Sequence, residues 1–237
     1  MIEELLPASV AVEEAFGDLP ESVLYEQEKA LVAGSTAERR KEFTTVRGCA
    51  REALARLGVP PAPILPGPRG APGWPGGVVG SMTHCAGYRA AAVARAGDVT
   101  ALGIDAEPNR PLPSTGTLEL VTVPEERHWL SRMAARHPGV NWDRLVFSAK
   151  ESVYKAWFPI TGRWLEFEDA LITVDAEART FHARLLVPGP VTPDGRRLTG
   201  FSGNWAVRQG LVLTAIALPA VSSPPDASAI SPSKRSS

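Results

Sequence analysis

Ala101-Leu102-Gly103-Ile104-Asp105-Ala106-Glu107 alternates in a way that decides how the chain is read. On a strand, Leu102, Ile104 and Ala106 face one side while Asp105 and Glu107 share the other, because successive side chains point to opposite faces. Two neighbouring carboxylates repel and raise each other's pKa, and a divalent cation between them removes that cost. Further along stands Phe147-Ser148-Ala149-Lys150-Glu151-Ser152-Val153-Tyr154-Lys155-Ala156-Trp157. From about Asp143 to Trp157, apolar Leu145, Val146, Ala149, Val153, Ala156 and Trp157 recur at three and four, which predicts a helix that stops before Pro159. Glu151 and Lys155 then lie one turn apart on one face. Three carboxylates with Lys150 and Lys155 suit a hard cation carrying a phosphate ester, since Mg²⁺ wants oxygen ligands and lysines meet phosphate oxygens. The combination reads as phosphoryl chemistry. Taken singly, each half also fits a plainer reading: Glu and Lys at i, i+4 form a common solvated pair, and Asp-x-Glu a solvated strand end.

Upstream, Ser35-Thr36-Ala37-Glu38 has the form of a capping box, and the helix it starts ends at Gly58 with Pro60-Pro61 beyond. Its apolar face carries Phe43, Val46, Ala50, Ala53, Leu54 and Leu57, with Arg40, Arg47 and Arg51 on a narrow stripe beside it. That stripe is either solvated or the edge of a polyphosphate site. Residues 59–77, rich in Pro and Gly, read as a surface loop of the kind that embraces a ligand. Val78 to His84 reads as a strand, and Arg89 to Ala94 with Ala101 to Ala106 as a hairpin turning near Gly97-Asp98, which makes His84 a neighbour of the Asp105 strand. Pro124-Glu125-Glu126 opens another helix through Ala135. Ala170 to Val174, Phe181 to Leu186, Asn204 to Arg208 and Leu211 to Ala217 read as strands, the last two a hairpin around Gln209-Gly210. Helix followed by strands occurs twice, without a sequence repeat beneath it. From Ser222 onward, composition predicts a disordered tail that is dispensable for chemistry.

Gly103-Ile104-Asp105-Ala106-Glu107-Pro108, the Phe147 to Trp157 stretch and Val79-Gly80-Ser81-Met82-Thr83-His84-Cys85-Ala86-Gly87-Tyr88-Arg89 together resemble the 4′-phosphopantetheinyl transferases, in particular the large, surfactin-synthetase-activating type of actinobacteria. The likeness runs from Arg39-Arg40-Lys41-Glu42-Phe43 and Arg47-Gly48-Cys49-Ala50-Arg51 through Trp164-Leu165-Glu166-Phe167-Glu168-Asp169-Ala170 to near Leu218. It implies an α+β fold, a pseudo-twofold arrangement of two similar α+β halves, here 1–102 and 103–221. It also implies Mg²⁺-dependent transfer of the phosphopantetheine arm of coenzyme A to a serine of apo acyl or peptidyl carrier proteins, releasing adenosine 3′,5′-bisphosphate. Carried over by position, Asp105, Glu107 and Glu151 match metal-binding carboxylates. His84 matches a histidine on coenzyme A phosphate, with Ser81 or Thr83 beside it, and Lys155, in the Lys150-Glu151 motif, a lysine near the pyrophosphate. Arg39 and Arg47 match basic residues for the 3′-phosphate. Pro66 stands where close relatives carry a lysine, and Arg69 is a candidate substitute charge. The serine's proton would go to Glu151, to Glu126 or to a metal-bound water.

The 237 residues carry a formal charge of −1, so no general polyanion-binding surface follows and nucleic acid is not an expected partner. Cys49 and Cys85 form no CxxC motif, the N-terminus is acidic, and no apolar run suits a membrane span, so a cytoplasmic protein is expected. His128, His137 and His182 lack metal-ligand spacing. A monomer suffices for two pseudo-equivalent halves, and Mn²⁺ accepts the same oxygen ligands as Mg²⁺. Two rival functions remain in view. A metal-dependent phosphodiesterase or pyrophosphatase would turn over coenzyme A without a carrier, and a non-catalytic coenzyme A-binding module would bind it without product.

Overall fold

In the structure, a computed structural model that describes residues 1–20, 23–192 and 195–220, the strands sort into two antiparallel sheets. The expected tail from Ser222 lies outside the described residues. Strand β1 (Val10–Ala15) is followed by helices α1 (Glu26–Val32) and α2 (Ala37–Arg56) and the hairpin β2 (Val78–Cys85) and β3 (Tyr88–Arg95). The hairpin turns at Gly87, whose φ of 79° suits a residue without Cβ. β3 pairs with β1 on its other side, giving the order β1-β3-β2. The small residues Ala90, Ala91, Ala92 and Ala94 leave both faces of β3 buried, with α2 packed through Cys49, Ala50, Ala53 and Leu54 on one of them.

After β4 (Val99–Pro108) come helices α3 (Thr115–Val121), α4 (Pro124–Arg136) and α5 (Trp142–Thr161). Strands β5 (Ala170–Asp175), β6 (Thr180–Leu185), β7 (Gly200–Arg208) and β8 (Leu211–Pro219) complete a second sheet, ordered β4-β8-β7-β6-β5. The fold is thus α+β. The expected β3–β4 hairpin does not form: β3 and β4 belong to different sheets, and β4 takes β8 as its partner. A short connection after Arg95 reads as a tight turn from local sequence alone, whereas pairing over more than a hundred residues leaves no local signal. The β7–β8 hairpin forms as expected, with Gln209 and Gly210 at φ 49° and 76°.

Helix ends depart in two places from the sequence reading. Thr36, not Ser35, caps α2, its side chain accepting from Arg39 N. Helix α5 passes through Pro159 and ends at Gly162, whose N–H bonds Phe158 O at 2.8 Å with φ 62°. In the last turn the proline forfeits only one intrahelical bond, and the apolar side chains around it outweigh that loss.

The two sheets meet along β2 and β4 through side chains. Ile104 N donates to Ser81 Oγ at 3.0 Å and Ala106 N to Thr83 Oγ1 at 3.1 Å, so hydroxyls take the acceptor places that carbonyls hold in a ladder. Below this seam Leu102, Ile104 and Ala106 pack with Val12, Tyr88 and Leu213 in a core that both sheets supply. The other face of β4 receives α5, and Gly103 permits the close approach: a Cβ there would lie 2.0 Å from Ser152 O. Among the described residues no helix is long and apolar enough to cross a membrane.

Candidate functional site

Because α5 lies directly on β4, Glu151 and Lys155 are brought over Asp105 and Glu107, as the strand and helix periodicities anticipate. These four side chains, with Thr83, His84, Met82 and Phe147, line a cavity of about 300 Å³. Lys155 Nζ donates to Asp105 Oδ1 at 2.7 Å and to Ile104 O at 3.1 Å, and Thr83 Oγ1 donates to the same Asp105 oxygen at 3.2 Å. Asp105 Oδ2 is buried and has no hydrogen-bond partner among the described residues. Glu107 Oε2 accepts from Arg144 Nη1 at 3.1 Å. Arg144 is a site residue that the sequence reading missed, although it precedes Glu151 by two helical turns on the same face.

Burial raises the Glu107 carboxyl to about 7, the Asp105 charge adds to it, and Arg144 and Lys155 pull it back. Glu151 is also raised, by burial and by Asp105, against Lys155. Both groups therefore carry an electrostatic cost that a cation would remove.

His84 and Arg39, forty-five residues apart, meet: Arg39 Nη1 lies 3.0 Å from His84 Nε2. Glu42 Oε2 stands 3.4 Å from His84 Nδ1 and 3.6 Å from Arg39 Nη1. Burial lowers the His84 pKa, Arg39, Lys155 and Arg89 lower it further, and Glu42 opposes them. The charged imidazole is thus disfavoured next to Arg39 and Lys155.

Other expected site residues are placed elsewhere. Lys150 is buried and turned away from Lys155, donating to Glu126 Oε2 and to Phe167 O, each at 2.8 Å. Glu126, wholly buried, also accepts from Val123 N at 2.9 Å and Ile172 N at 2.6 Å, which binds α4, α5 and β5 together and leaves no room for a base. Arg47 is buried too. Its Nε donates to Ile64 O at 3.0 Å, its guanidinium lies over Phe43, and burial lowers its pKa to about 10. Arg51 donates twice to the buried Glu28, at 2.9 and 3.0 Å. The arginine stripe of α2 is thus largely folded inward, and Arg39 at its start reaches the cavity's edge. Ser81 is buried, its hydroxyl committed to the seam. Pro66 bridges Pro72 within the 59–77 loop, and Arg69 lies over the Trp164 ring at 5.7 Å.

Among the described residues no three His, Cys, Asp or Glu side chains stand as a ready-made metal site. The donor set nonetheless fits a hard cation: an unpartnered buried oxygen on Asp105 and two neighbouring carboxyls raised by burial and mutual repulsion line one cavity. A larger depression of about 560 Å³ on the β5–β7 face has no lysine or arginine in its lining and suits no phosphate.

Fold and site define an α+β protein whose β4 carboxylates and α5 carboxylate and lysine share one cavity. Residues 27–94 match the family model for the 4′-phosphopantetheinyl transferase N-terminal domain, and residues 101–196 that of the 4′-phosphopantetheinyl transferase superfamily. The chain is 60% identical over 223 residues to 4′-phosphopantetheinyl transferase Svp of Streptomyces mobaraensis, spanning 93% of this chain and 90% of that protein. It is 50% identical to 4′-phosphopantetheinyl transferase PptT of Mycobacterium tuberculosis (92% and 98% covered) and 48% identical to Npt of Nocardia iowensis (92% and 99%). The chain belongs to the 4′-phosphopantetheinyl transferase family, with these actinobacterial members.

Proposed function

We propose that the protein moves the 4′-phosphopantetheine arm of coenzyme A onto a serine of apo acyl or peptidyl carrier proteins. The observation that carries this reading is the convergence of Asp105, Glu107, Glu151, Lys155 and His84 on one cavity. The serine Oγ forms a bond to the phosphorus bearing pantetheine, the bond from that phosphorus to the bridging oxygen breaks, and adenosine 3′,5′-bisphosphate leaves with the electron pair. Glu151, whose carboxyl burial makes more basic than an ordinary carboxylate, takes the serine proton. Lys155 and His84 face the pyrophosphate, and Arg39 meets the 3′-phosphate end, with Arg47 stiffening the helix behind it. Asp105, Glu107 and Glu151 would hold Mg²⁺ or Mn²⁺, which when bound neutralises charge developing on the phosphoryl oxygens.

The same proposal includes a pseudo-twofold pair of halves, 1–102 and 103–221, supported by α2 lying on its sheet much as α5 lies on its own, and a monomer in the cytoplasm. Intact mass spectrometry of an apo carrier protein incubated with this protein, coenzyme A and Mg²⁺ tests the reaction. The expected outcome is a gain of one phosphopantetheine arm that EDTA abolishes. Unmodified carrier with hydrolysed or merely bound coenzyme A overturns it.

A further inference from the structure

Asp105 and Glu107 each reach the cavity with one oxygen already held. On Asp105, Lys155 and Thr83 both take Oδ1, and Oδ2 is buried without a partner in a residue only 4% exposed. On Glu107, Arg144 takes Oε2, and among the described residues no hydrogen bond reaches Oε1. The grip is firm because the whole guanidinium is engaged. Nε donates to Arg110 O and Nη2 to Pro111 O, both at 3.1 Å, so the fork turns from Glu107 only by giving up two further hydrogen bonds to the segment that follows β4. That segment is itself tied to the start of α5, Leu112 N donating to Asp143 Oδ2 at 2.8 Å and Asn141 N to Asn109 Oδ1 at 2.9 Å.

Resting on the metal reading above, we propose that Arg144 is a positioning residue that sets which divalent cation the site accepts. By holding Oε2 it restricts Glu107 to one oxygen toward the cation, as Lys155 and Thr83 restrict Asp105. Sites built from single oxygens suit the small, strictly octahedral Mg²⁺, whereas Ca²⁺ gains from bidentate carboxylates and higher ligand number. Arg144 thereby selects the smaller ion without touching it.

The test uses the full chain without coenzyme A or carrier. Mg²⁺ and Ca²⁺ are each titrated against Mn²⁺ followed by electron paramagnetic resonance, in the wild type and in Arg144→Gln, Arg144→Met and Arg144→Lys. Gln and Met release Oε2, Met filling the volume of the arginine's aliphatic stem in case Gln folds poorly. In either, the Ca²⁺-to-Mg²⁺ affinity ratio is expected to rise about tenfold or more, the scale on which partners of metal ligands act. Lys keeps a donor on Oε2 and is expected to stay near the wild-type ratio. A ratio unchanged in whichever of Gln and Met is folded overturns the proposal, as does an equal change in all three variants. Where binding needs coenzyme A the same titration is run with it present, and a wild-type protein that binds none of the three ions with or without it overturns the metal reading itself.

Discussion

Glu107 is where protons and cations compete near neutral pH. With its folded carboxyl raised to about 7, divalent-cation affinity is expected to climb as pH rises toward 7 and to level off above it, which Mn²⁺ titration across a pH series checks. The sign for stability is the reverse. A folded pKa above the unfolded value of 4.5 gives a contribution fully present below that value and lost as pH rises through about 7. Glu107→Gln should therefore raise the melting temperature of the cation-free protein at about pH 8 and change it far less at about pH 5. For Glu151→Gln, general-base loss predicts a fall in kcat of about 10²- to 10⁴-fold with coenzyme A binding little changed. Equal losses in kcat and binding would leave Glu151 a ligand only.

At the scale of elements, two contacts position α5. Gly103→Ala places a Cβ 2.0 Å from Ser152 O and 3.0 Å from Ala156 N, both backbone atoms that cannot swing aside. Lifting the helix is expected to cost about 1–3 kcal/mol in urea denaturation, and to lower activity by separating Glu151 and Lys155 from the β4 carboxylates. The second contact is the buried Lys150–Glu126 pair, where burial lowers the lysine pKa and Glu126 opposes it. Lys150→Met strands a buried carboxylate and should destabilise by about 3–5 kcal/mol, with Glu126→Gln on top restoring part of the loss. A phosphate-binding role would instead leave stability intact and weaken coenzyme A binding. Periodicity placed α5 and its polar face correctly, but it gave Lys150 and Lys155 the same chemical weight. They differ because five residues of helix are a full turn plus about 140°, which sends Lys150 into the α4–β5 junction and Lys155 to the seam of the sheets.

Across the whole molecule, the core beneath β4 is shared. Ile2, Val10, Val12, Tyr88 and Ala92 cover Leu102, Ile104, Leu213 and Ala215. Residues 103–221 expressed alone would expose that face, so this fragment is expected not to fold, and the intact chain to unfold in one cooperative transition by circular dichroism and tryptophan fluorescence alike. Thr83→Val leaves the buried Ala106 N–H without its acceptor and should cost about 1–3 kcal/mol in the same experiment, weakening the seam on which the site sits.

The family resemblance implied the α+β class, and the sequence alone determined most strands, the three long helices and the shared faces of Asp105 with Glu107 and of Glu151 with Lys155. Those signals are local periodicities, and the family's motifs lie within them. Short β1, α1 and α3 left too little pattern to read, and β4's choice of β8 over β3 was invisible because strand partners distant in the chain share no local mark. Only the tertiary structure decided which basic residues face the cavity. Lys155 does, Arg39 reaches its edge at His84, Arg47, Arg51 and Lys150 turn to buried acceptors, and Arg144 holds Glu107 from a position that reads as ordinary helix surface. A side chain's charge is written in the sequence, but the partner that engages it is fixed by packing between elements that meet only in the folded chain.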